Sequence, residues 1–382
     1  MRAVAIIDGE HYAPVVRDAL AALPYDVVGA LLVGGTEKLR GGEDYGVPLV
    51  DSLDAVAADL VVDVSDEPVL GPRERFRWIC RALALGLPYV GADFRFDPPR
   101  FHPFDLPSIA VIGTGKRVGK TAITGYVARL LARDRDVVVV AMGRGGPAEP
   151  ELIEVPPTLD DLLALSRSGR HAASDHLELA ALTGVVTVGC RRAGGGLAGQ
   201  VLDSNVAAGA AIARSLAPDI VVFDGSGAAI PPIATSARIL VTGSDHDLDA
   251  YLNPYRVAIS DLVVGIGDVA GADVNAELRL RPASPLEGRR VAVFTTGPAP
   301  VEHLDAQIVH VSRNLADRNA LRTELSTVDA DVYLVELKAA AIDVVAEAAA
   351  ERGAELILAE NKVSAPGLDE ALLALVPEKV PA

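Results

Sequence analysis

Residues 108–134 constrain the fold of this chain more than any other segment, because they combine a strand, a glycine-broken loop and a helix. The apolar run 109–112 is typical of a buried strand, and apolar residues after position 121 recur at helical spacing. Between them lies the loop GTGKRVGKT, residues 113–121. A strand, a glycine-rich loop ending in Gly-Lys-Thr and a helix together form the setting of a phosphate-binding loop. The sequence therefore predicts a nucleotide-binding α/β domain.

Each residue of this loop is a candidate for holding the nucleotide. Backbone N–H groups of the loop and of the helix N-terminus would face the phosphates. Lys120 would reach the β- and γ-phosphates of ATP, and the Thr121 hydroxyl would bind Mg²⁺. The usual loop has glycine six positions before the lysine, whereas this chain has Thr114 there and a glycine one position earlier. This form resembles the loop of dethiobiotin synthetase and related P-loop ATPases that act on small acids. The candidate nucleotide-binding residues are Gly113, Thr114, Gly115, Lys116, Arg117, Val118, Gly119, Lys120 and Thr121.

A second predicted strand of the buried type, residues 219–223, leads into Asp224 and the sequence DGSG. An apolar strand that ends in an acidic residue downstream of a P-loop is typical of a Walker B segment. Asp224 is therefore predicted to hold Mg²⁺ together with Thr121. The alternative is that the carboxylate only starts a turn.

Three arginines follow other predicted strands within glycine-rich stretches: Arg144 in residues 142–147, and Arg191 and Arg192 in residues 189–196. Arginine forks grip phosphate and carboxylate oxygens at two points, and glycine allows the backbone to approach an anion. We predict that both stretches are loops that bind an anion, with an exposed surface loop as the alternative. Together with Lys116, Lys120 and Asp224, these arginines are the candidate catalytic residues.

The remaining pattern of short apolar runs and helical segments predicts an α/β fold in which a central P-loop domain with a mostly parallel sheet is flanked by smaller α/β domains. We expect an N-terminal Rossmann-like domain at 1–105, the ATP-binding catalytic domain at 106–285 and a C-terminal domain at 286–382. The loop 242–247 is a candidate for lining the pocket of the nucleotide base. For the C-terminal domain, a lid, a wall of the substrate site and a dimerisation module all remain open.

The overall charge and composition exclude several kinds of partner. A net charge of −17 argues against a nucleic-acid binder, whereas locally gathered arginines still suit a small polyanionic substrate. No apolar run approaches the roughly 18 residues that span a membrane, and the N-terminus leads directly into a strand rather than a signal peptide. Two cysteines fit a reduced protein without a disulfide framework. We expect a cytoplasmic homodimer.

Five segments together resemble the cyclic 2,3-diphosphoglycerate synthetase family over most of the chain. They are IDGEHY at 7–12, GGTEKL at 34–39, the loop at 113–121, GRGGP at 143–147 and GCRRAGGG at 189–196. The resemblance implies ATP-driven closure of an intramolecular phosphoanhydride between the two phosphates of 2,3-diphosphoglycerate, with release of ADP and phosphate. Lys116 and Arg117 would then reach the γ-phosphate or the acceptor, and Arg144, Arg191 and Arg192 would hold the phosphates and carboxylate of the substrate.

Two other functions use the same loop. One is a dethiobiotin synthetase-like ligase that activates a small carboxylic acid with ATP. The other is a nucleotide-switched partitioning or metal-chaperone module, a class that carries lysine at the start of the loop. This chain has Gly115 at that position and Lys116 beside it.

Overall fold

The computed structural model describes residues 1–168, 174–297, 300–336 and 342–376. These residues form two compact units. The first contains Met1–Arg100, Leu197–Gln200 and Asp247–Ile259, and the second contains the described residues of Phe101–Gly196, Val201–His246 and Ser260–Ala382.

The first unit is built on a five-stranded sheet with the order β2-β1-β3-β4-β5. Its strands are β1 (Arg2–Ile7), β2 (Asp26–Leu32), β3 (Leu60–Asp63), β4 (Tyr89–Val90) and β5 (Arg95–Phe96), and its first two helices are α1 (Ala13–Ala22) and α2 (Pro72–Ala84). All strand pairs are parallel except β4 with β5. The carboxyl ends of β1, β2 and β3 therefore lie at one edge of the sheet.

Asp8, directly after β1, organises this edge. Its side chain is buried and accepts hydrogen bonds from the backbone of Glu10 (2.9 Å) and of Asp66 (2.8 Å), and His11 Nδ1 lies 2.9 Å from its Oδ1. Burial alone would raise the pKa of Asp8. The hydrogen bonds from Asp66, His11 and Glu10 outweigh it, so that the pKa lies below the ordinary value of 3.8. The charged form of Asp8 therefore stabilises the folded unit.

We expect Asp8→Asn to lower the free energy of unfolding at pH 7 by about 1–3 kcal/mol, because the buried hydrogen-bond donors lose their charged acceptor. Since the folded pKa is depressed, the stabilisation is present above the unfolded value and is lost as the pH falls below about 4. Urea unfolding followed by the fluorescence of Trp78, the only tryptophan of the chain, measures this loss. The control is Asp18→Asn on the exposed face of α1. Equal stability of the two variants would contradict this role of Asp8.

The second unit contains a 13-stranded sheet with the order β10-β9-β7-β11-β6-β12-β13-β14-β18-β17-β15-β16, and β8 pairs with β9. The strands are β6 (Ser108–Gly113), β7 (Val137–Gly143), β8 (Glu151–Ile153), β9 (Val186–Gly195), β10 (Val201–Ser204), β11 (Ile220–Asp224), β12 (Ala237–Gly243), β13 (Leu262–Ile266), β14 (Val274–Pro282), β15 (Arg290–Phe294), β16 (Gln307–Ser312), β17 (Val332–Glu336) and β18 (Glu355–Ser364). The helices are α3 (Lys120–Leu131), α4 (Leu159–Arg167), α5 (Asp175–Thr183), α6 (Val206–Ser215), α7 (Asn253–Ala258, which belongs to the first unit), α8 (Arg318–Leu325), α9 (Ile342–Arg352) and α10 (Leu368–Ala374).

The centre of this sheet, from β9 through β13, is parallel and buried. Helix α3 packs Ile123, Val127 and Leu131 into the core beside it, and each such side chain contributes about 1.5–3 kcal/mol by leaving water. Because the strands are parallel, the residues that follow β6, β7, β11, β12 and β13 all lie at one edge. Ligands of open α/β sheets bind at this edge. The predicted α/β class with a P-loop and a mostly parallel sheet is thus confirmed.

Two features of the second unit depend on pairing between strands that are distant in sequence. Strand β14 pairs with β18 in antiparallel fashion and joins the C-terminal strands to the same sheet. The prediction that residues 189–196 form a loop was wrong for most of them: β9 continues to Gly195 and pairs with β10. Within the described residues, no helix is long and apolar enough to cross a membrane.

Candidate active site

The P-loop is held in a tight curve between β6 and α3. Arg117 and Gly119 take left-handed backbone angles, with φ of 61° and 83°, which glycine adopts without strain and arginine does not. The loop is also bound to the neighbouring strand β12 by two hydrogen bonds. The Thr114 N–H donates to the carbonyl oxygen of Val241 (3.1 Å), and the Thr114 hydroxyl donates to the hydroxyl oxygen of Thr242 (3.0 Å). These two hydrogen bonds hold the curved loop against β12.

Lys120, the first residue of α3, contacts the aspartate at the end of β11. Its Nζ lies 2.8 Å from Asp224 Oδ1, and both side chains are buried. The Thr124 hydroxyl lies 2.6 Å from the same oxygen. Two of the residues that the sequence predicted as catalytic, Lys120 and Asp224, are therefore in direct contact although 104 positions separate them.

The other oxygen of Asp224 is suited to a metal ion. Asp224 Oδ2 is fully buried and has no hydrogen-bond partner among the described residues. Thr121 adds a buried hydroxyl in the first turn of α3. Among the described residues no group of three or more His, Cys, Asp or Glu side chains could hold a metal. This donor set fits Mg²⁺, which uses one or two protein oxygens and takes its remaining ligands from phosphates and water.

Three cationic side chains converge at Gly227, just beyond β11. A Cβ built on this glycine would lie 2.6 Å from Nη2 of Arg144, 3.8 Å from Nη2 of Arg192 and 3.8 Å from Cγ of Lys116. Gly227 has a φ of 59°, and a side chain here would collide with Arg144. The glycine therefore leaves room for the guanidinium groups of Arg144 and Arg192 and for the aliphatic stem of Lys116 at one point beside the P-loop.

Two positive charges lie close together in this group. Burial lowers the pKa of Arg192 and the positive charge of Arg144 lowers it further, while the Asp175 carboxylate acts in the opposite direction. Arg192 is fixed in place by the bond from its Nη2 to the carbonyl of Ser226, at 2.9 Å. A negatively charged ligand between Arg144 and Arg192 would remove their repulsion.

Arg191 is not part of this group. Successive residues of a strand point to opposite faces, so the side chains of Arg191 and Arg192 leave β9 in opposite directions. Arg191 is exposed, and its side chain has no hydrogen-bond or ion-pair partner within the described part of the chain. Next to it, Cys190 is buried, and burial raises the pKa of its thiol to about 12, so it stays protonated at neutral pH.

One residue of this region, Thr124, was missed in the sequence. Thr124 lies one helical turn after Lys120, so its contact with Asp224 could have been found from the spacing of four on α3. Thr242, near the end of β12, and His246, just beyond it, belong to the segment 242–247 that the sequence proposes for the base pocket. The His246 ring lies against Gly115 of the P-loop. No local pattern predicts this contact, because it depends on the pairing of β12 with β6.

Family models match three segments of the chain. The N-terminal domain of cyclic 2,3-diphosphoglycerate synthetase matches residues 2–97, the P-loop domain matches residues 108–274 and the C-terminal domain matches residues 282–362. Together they span most of the sequence.

Individual proteins are similar over nearly their whole length. The chain is 46% identical to the cyclic 2,3-diphosphoglycerate synthetase of Rubrobacter xylanophilus, covering 98% of this chain and 97% of that protein. The synthetase of Thermococcus gammatolerans is 41% identical (97% and 96% covered), and that of Methanothermus fervidus is 36% identical (98% and 96% covered). A solved structure of LpxK from Aquifex aeolicus in complex with ATP is similar over 73% of this chain and 91% of the LpxK chain, at 14% identity and with a TM-score of 0.44.

Proposed function

This chain belongs to the cyclic 2,3-diphosphoglycerate synthetase family, and we propose that it uses ATP to join the two phosphates of 2,3-diphosphoglycerate in a cyclic phosphoanhydride. The observation that carries the proposal is that two clusters of charged side chains lie next to each other at one edge of the sheet. One is the P-loop with the buried Lys120–Asp224 pair, and the other is the cluster of Arg144, Arg192 and Lys116 at Gly227. A nucleotide and a second, highly anionic ligand are thereby given adjoining sites.

The P-loop would hold the triphosphate of ATP. Its backbone N–H groups and the N-terminus of α3 favour negative charge at this point. Lys120 would exchange part of its contact with Asp224 for the β- and γ-phosphate oxygens. This exchange keeps the lysine paired throughout, since a buried ammonium group without a partner is costly.

Thr121 and Asp224 would hold Mg²⁺, with the free Oδ2 of Asp224 as the protein's charged ligand. When bound, Mg²⁺ offsets the charge that develops on the transferring phosphoryl group. Thr124 would keep Asp224 oriented through the contact with Oδ1.

Arg144 and Arg192 would hold the substrate phosphates, and the side chain of Lys116 approaches the same point from the P-loop. Two phosphate groups and a carboxylate carry enough negative charge to offset the repulsion between the arginines. The forks of Arg144 and Arg192 can each make two parallel hydrogen bonds to phosphate. We retain Arg191 as a candidate for the carboxylate, to be tested separately.

The reaction balances in two displacements. One substrate phosphate attacks the γ-phosphorus of ATP, the bond to the β,γ-bridging oxygen breaks, and ADP leaves. The second substrate phosphate then attacks the phosphorus of the first, the newly formed P–O–P bond breaks, and inorganic phosphate leaves as the ring closes. Arg144, Arg192 and Lys116 would hold the two phosphates in line, which is most of what phosphoryl transfer needs. No side-chain nucleophile takes part in these steps.

The acceptor on which ADP release depends distinguishes this activity from the rival ligase. We expect ADP release to depend on 2,3-diphosphoglycerate, and not on a carboxylic acid supplied with an amine or carbamate. Turnover that requires the acid and amine, with no response to 2,3-diphosphoglycerate, would identify a dethiobiotin synthetase-like enzyme and overturn the proposal.

We also propose that the protein is a cytoplasmic homodimer. Sedimentation velocity would give a single dimeric species with and without ADP. A change of oligomeric state on nucleotide exchange, with no effect of small acids on hydrolysis, would favour the nucleotide-switched module instead.

A further inference from the structure

Asn205, the residue before α6, connects the backbone of β9 to the loop between β7 and β8. Its Oδ1 accepts a hydrogen bond from the N–H of Arg191 at 2.7 Å, and its own N–H donates to the Arg191 carbonyl at 3.3 Å. Its Nδ2 donates to the carbonyls of Pro147 (3.2 Å) and Ala148 (3.1 Å). The side-chain amide therefore uses its oxygen and its nitrogen on two different parts of the chain.

Helix capping does not explain an asparagine at this position. Asn205 is the N-cap residue of α6, where the side-chain oxygen of an asparagine ordinarily accepts an N–H of the first helical turn. Within the described residues Asn205 makes no such bond, and the hydroxyl oxygen of Ser204 accepts the Val206 N–H instead, at 3.1 Å. The contacts of the Asn205 side chain with β9 and with the loop are therefore its main interactions.

The loop that Asn205 contacts begins with Arg144 and spans residues 144–150, from the end of β7 to the start of β8. Two glycines follow the arginine, and glycine leaves the backbone free to take many conformations. A Cβ built on Gly146 would lie 2.0 Å from the carbonyl oxygen of Cys190, so the loop backbone lies directly against β9. Asn205 binds the two residues that come next.

The two arginines at Gly227 differ in how their backbones are held. Arg192 lies within β9, which pairs with β7, β8 and β10. Arg144 follows the last residue of β7, and its side chain reaches Gly227 from the loop. The position of Arg144 relative to Arg192 therefore depends on the hydrogen bonds that hold the loop against β9.

From these contacts we propose that Asn205 is a positioning residue. By holding the loop against β9, it sets the distance between the guanidinium groups of Arg144 and Arg192, and with it their fit to the substrate phosphates. The inference rests on the proposed function of these two arginines, and Asn205 itself contacts no reacting group. A misplacement of about 1 Å can lower a rate about 100-fold, because the reacting groups are no longer aligned.

The three partners of the side chain require an amide. The Arg191 N–H needs an acceptor, and the carbonyls of Pro147 and Ala148 need donors. An asparagine side chain offers one carbonyl oxygen and an NH₂ group with two donors. Aspartate would keep the acceptor for Arg191 but would place a second oxygen against two carbonyl oxygens. Asn205→Asp should therefore displace the loop and leave the contact with β9 intact, whereas Asn205→Ala loses both.

Hydrogen exchange without any ligand tests the two contacts separately. We expect the Arg191 amide to exchange faster in Asn205→Ala, because it loses its acceptor, and to stay protected in Asn205→Asp. The control is Ser204→Ala, which removes the neighbouring bond to Val206 and should leave the Arg191 amide unchanged. An unchanged Arg191 amide in Asn205→Ala would show that other contacts hold β9 here, and the proposal would be overturned.

Steady-state kinetics tests the consequence for the reaction. We expect Asn205→Asp to lower kcat/KM for 2,3-diphosphoglycerate by about 10- to 100-fold and to leave the affinity for Mg²⁺-ADP unchanged. In an Arg144→Ala background the same change should cost less than about threefold, because Asn205 acts through Arg144. Ser204→Ala should keep the wild-type kcat/KM. Urea unfolding confirms that each variant is folded.

Equal losses in the two backgrounds would show a merely structural role and overturn the proposal, as would a wild-type kcat/KM in Asn205→Asp. If Asn205→Ala does not fold, Asn205→Asp decides, since it keeps the bond to Arg191. If the wild type does not respond to 2,3-diphosphoglycerate, the proposed function fails by itself. Crystal structures of the wild type and Asn205→Asp then decide the inference: a displaced loop with a changed Arg144–Arg192 distance supports it, and superimposable loops overturn it.

Discussion

Replacing Lys120 with methionine should reduce kcat for ATP turnover by about 10²–10³-fold, the loss that follows removal of one preorganised cationic or hydrogen-bonding group from a transition state. Methionine keeps most of the length of the lysine and removes its charge. The same change should also lower stability by up to about 3–5 kcal/mol, because it leaves the fully buried carboxylate of Asp224 without its cation. Steady-state kinetics and urea unfolding measure the two losses separately.

A double variant separates catalysis from stability. Adding Asp224→Asn to Lys120→Met removes the unpaired charge, so part of the lost stability should return, while activity should stay at the level of the single variant or fall below it. If the loss of stability in the double variant equals the sum of the losses in the two single variants, Lys120 and Asp224 are not energetically coupled. Turnover near the wild-type rate in Lys120→Met would remove the P-loop from the mechanism.

The second large effect is expected from Arg192→Ala. One charge-assisted hydrogen bond contributes about 1.5–3 kcal/mol, so kcat/KM for 2,3-diphosphoglycerate should fall by about 10- to 150-fold. Affinity for Mg²⁺-ADP should hardly change, because Arg192 belongs to the cluster at Gly227 rather than to the loop. Steady-state kinetics at varied 2,3-diphosphoglycerate concentration measures kcat/KM, and calorimetric titration with Mg²⁺-ADP measures the nucleotide affinity.

Arg191→Ala is the matched comparison, since it removes the same charge from the next residue of the same strand. Because its side chain leaves the other face of β9, we expect a smaller change in kcat/KM than for Arg192→Ala. Equal losses would mean that both arginines reach the substrate, as the sequence alone suggested. A loss of ADP affinity in Arg192→Ala would place Arg192 at the nucleotide.

The P-loop, with its flanking strand and helix, could be predicted from the sequence because this segment is encoded locally. The loop 113–121 carries its own signature within nine consecutive residues, and the strand and helix on either side of it were predicted from periodicity. Predicting the position of Asp224 required one further inference, namely that an apolar strand downstream of a P-loop ends next to that loop. The structure brings its carboxylate to Lys120.

The rest of the site depends on pairings between distant strands. The GCRRAGGG segment reads as a loop because glycines predominate, yet pairing with β10 extends β9 through it and separates Arg191 from Arg192. The antiparallel pairing of β14 with β18 likewise has no local signal. It joins the C-terminal strands to the P-loop sheet. Neither fact could be read from composition or spacing.

Phosphorus NMR of the wild-type reaction tests the central claim most directly. Incubation with ATP, Mg²⁺ and 2,3-diphosphoglycerate should convert the two phosphomonoester signals into phosphoanhydride signals, with ADP and inorganic phosphate formed in equal amounts. Lys120→Met provides the background. Release of ADP and phosphate in the complete mixture with both phosphomonoester signals unchanged would contradict the account.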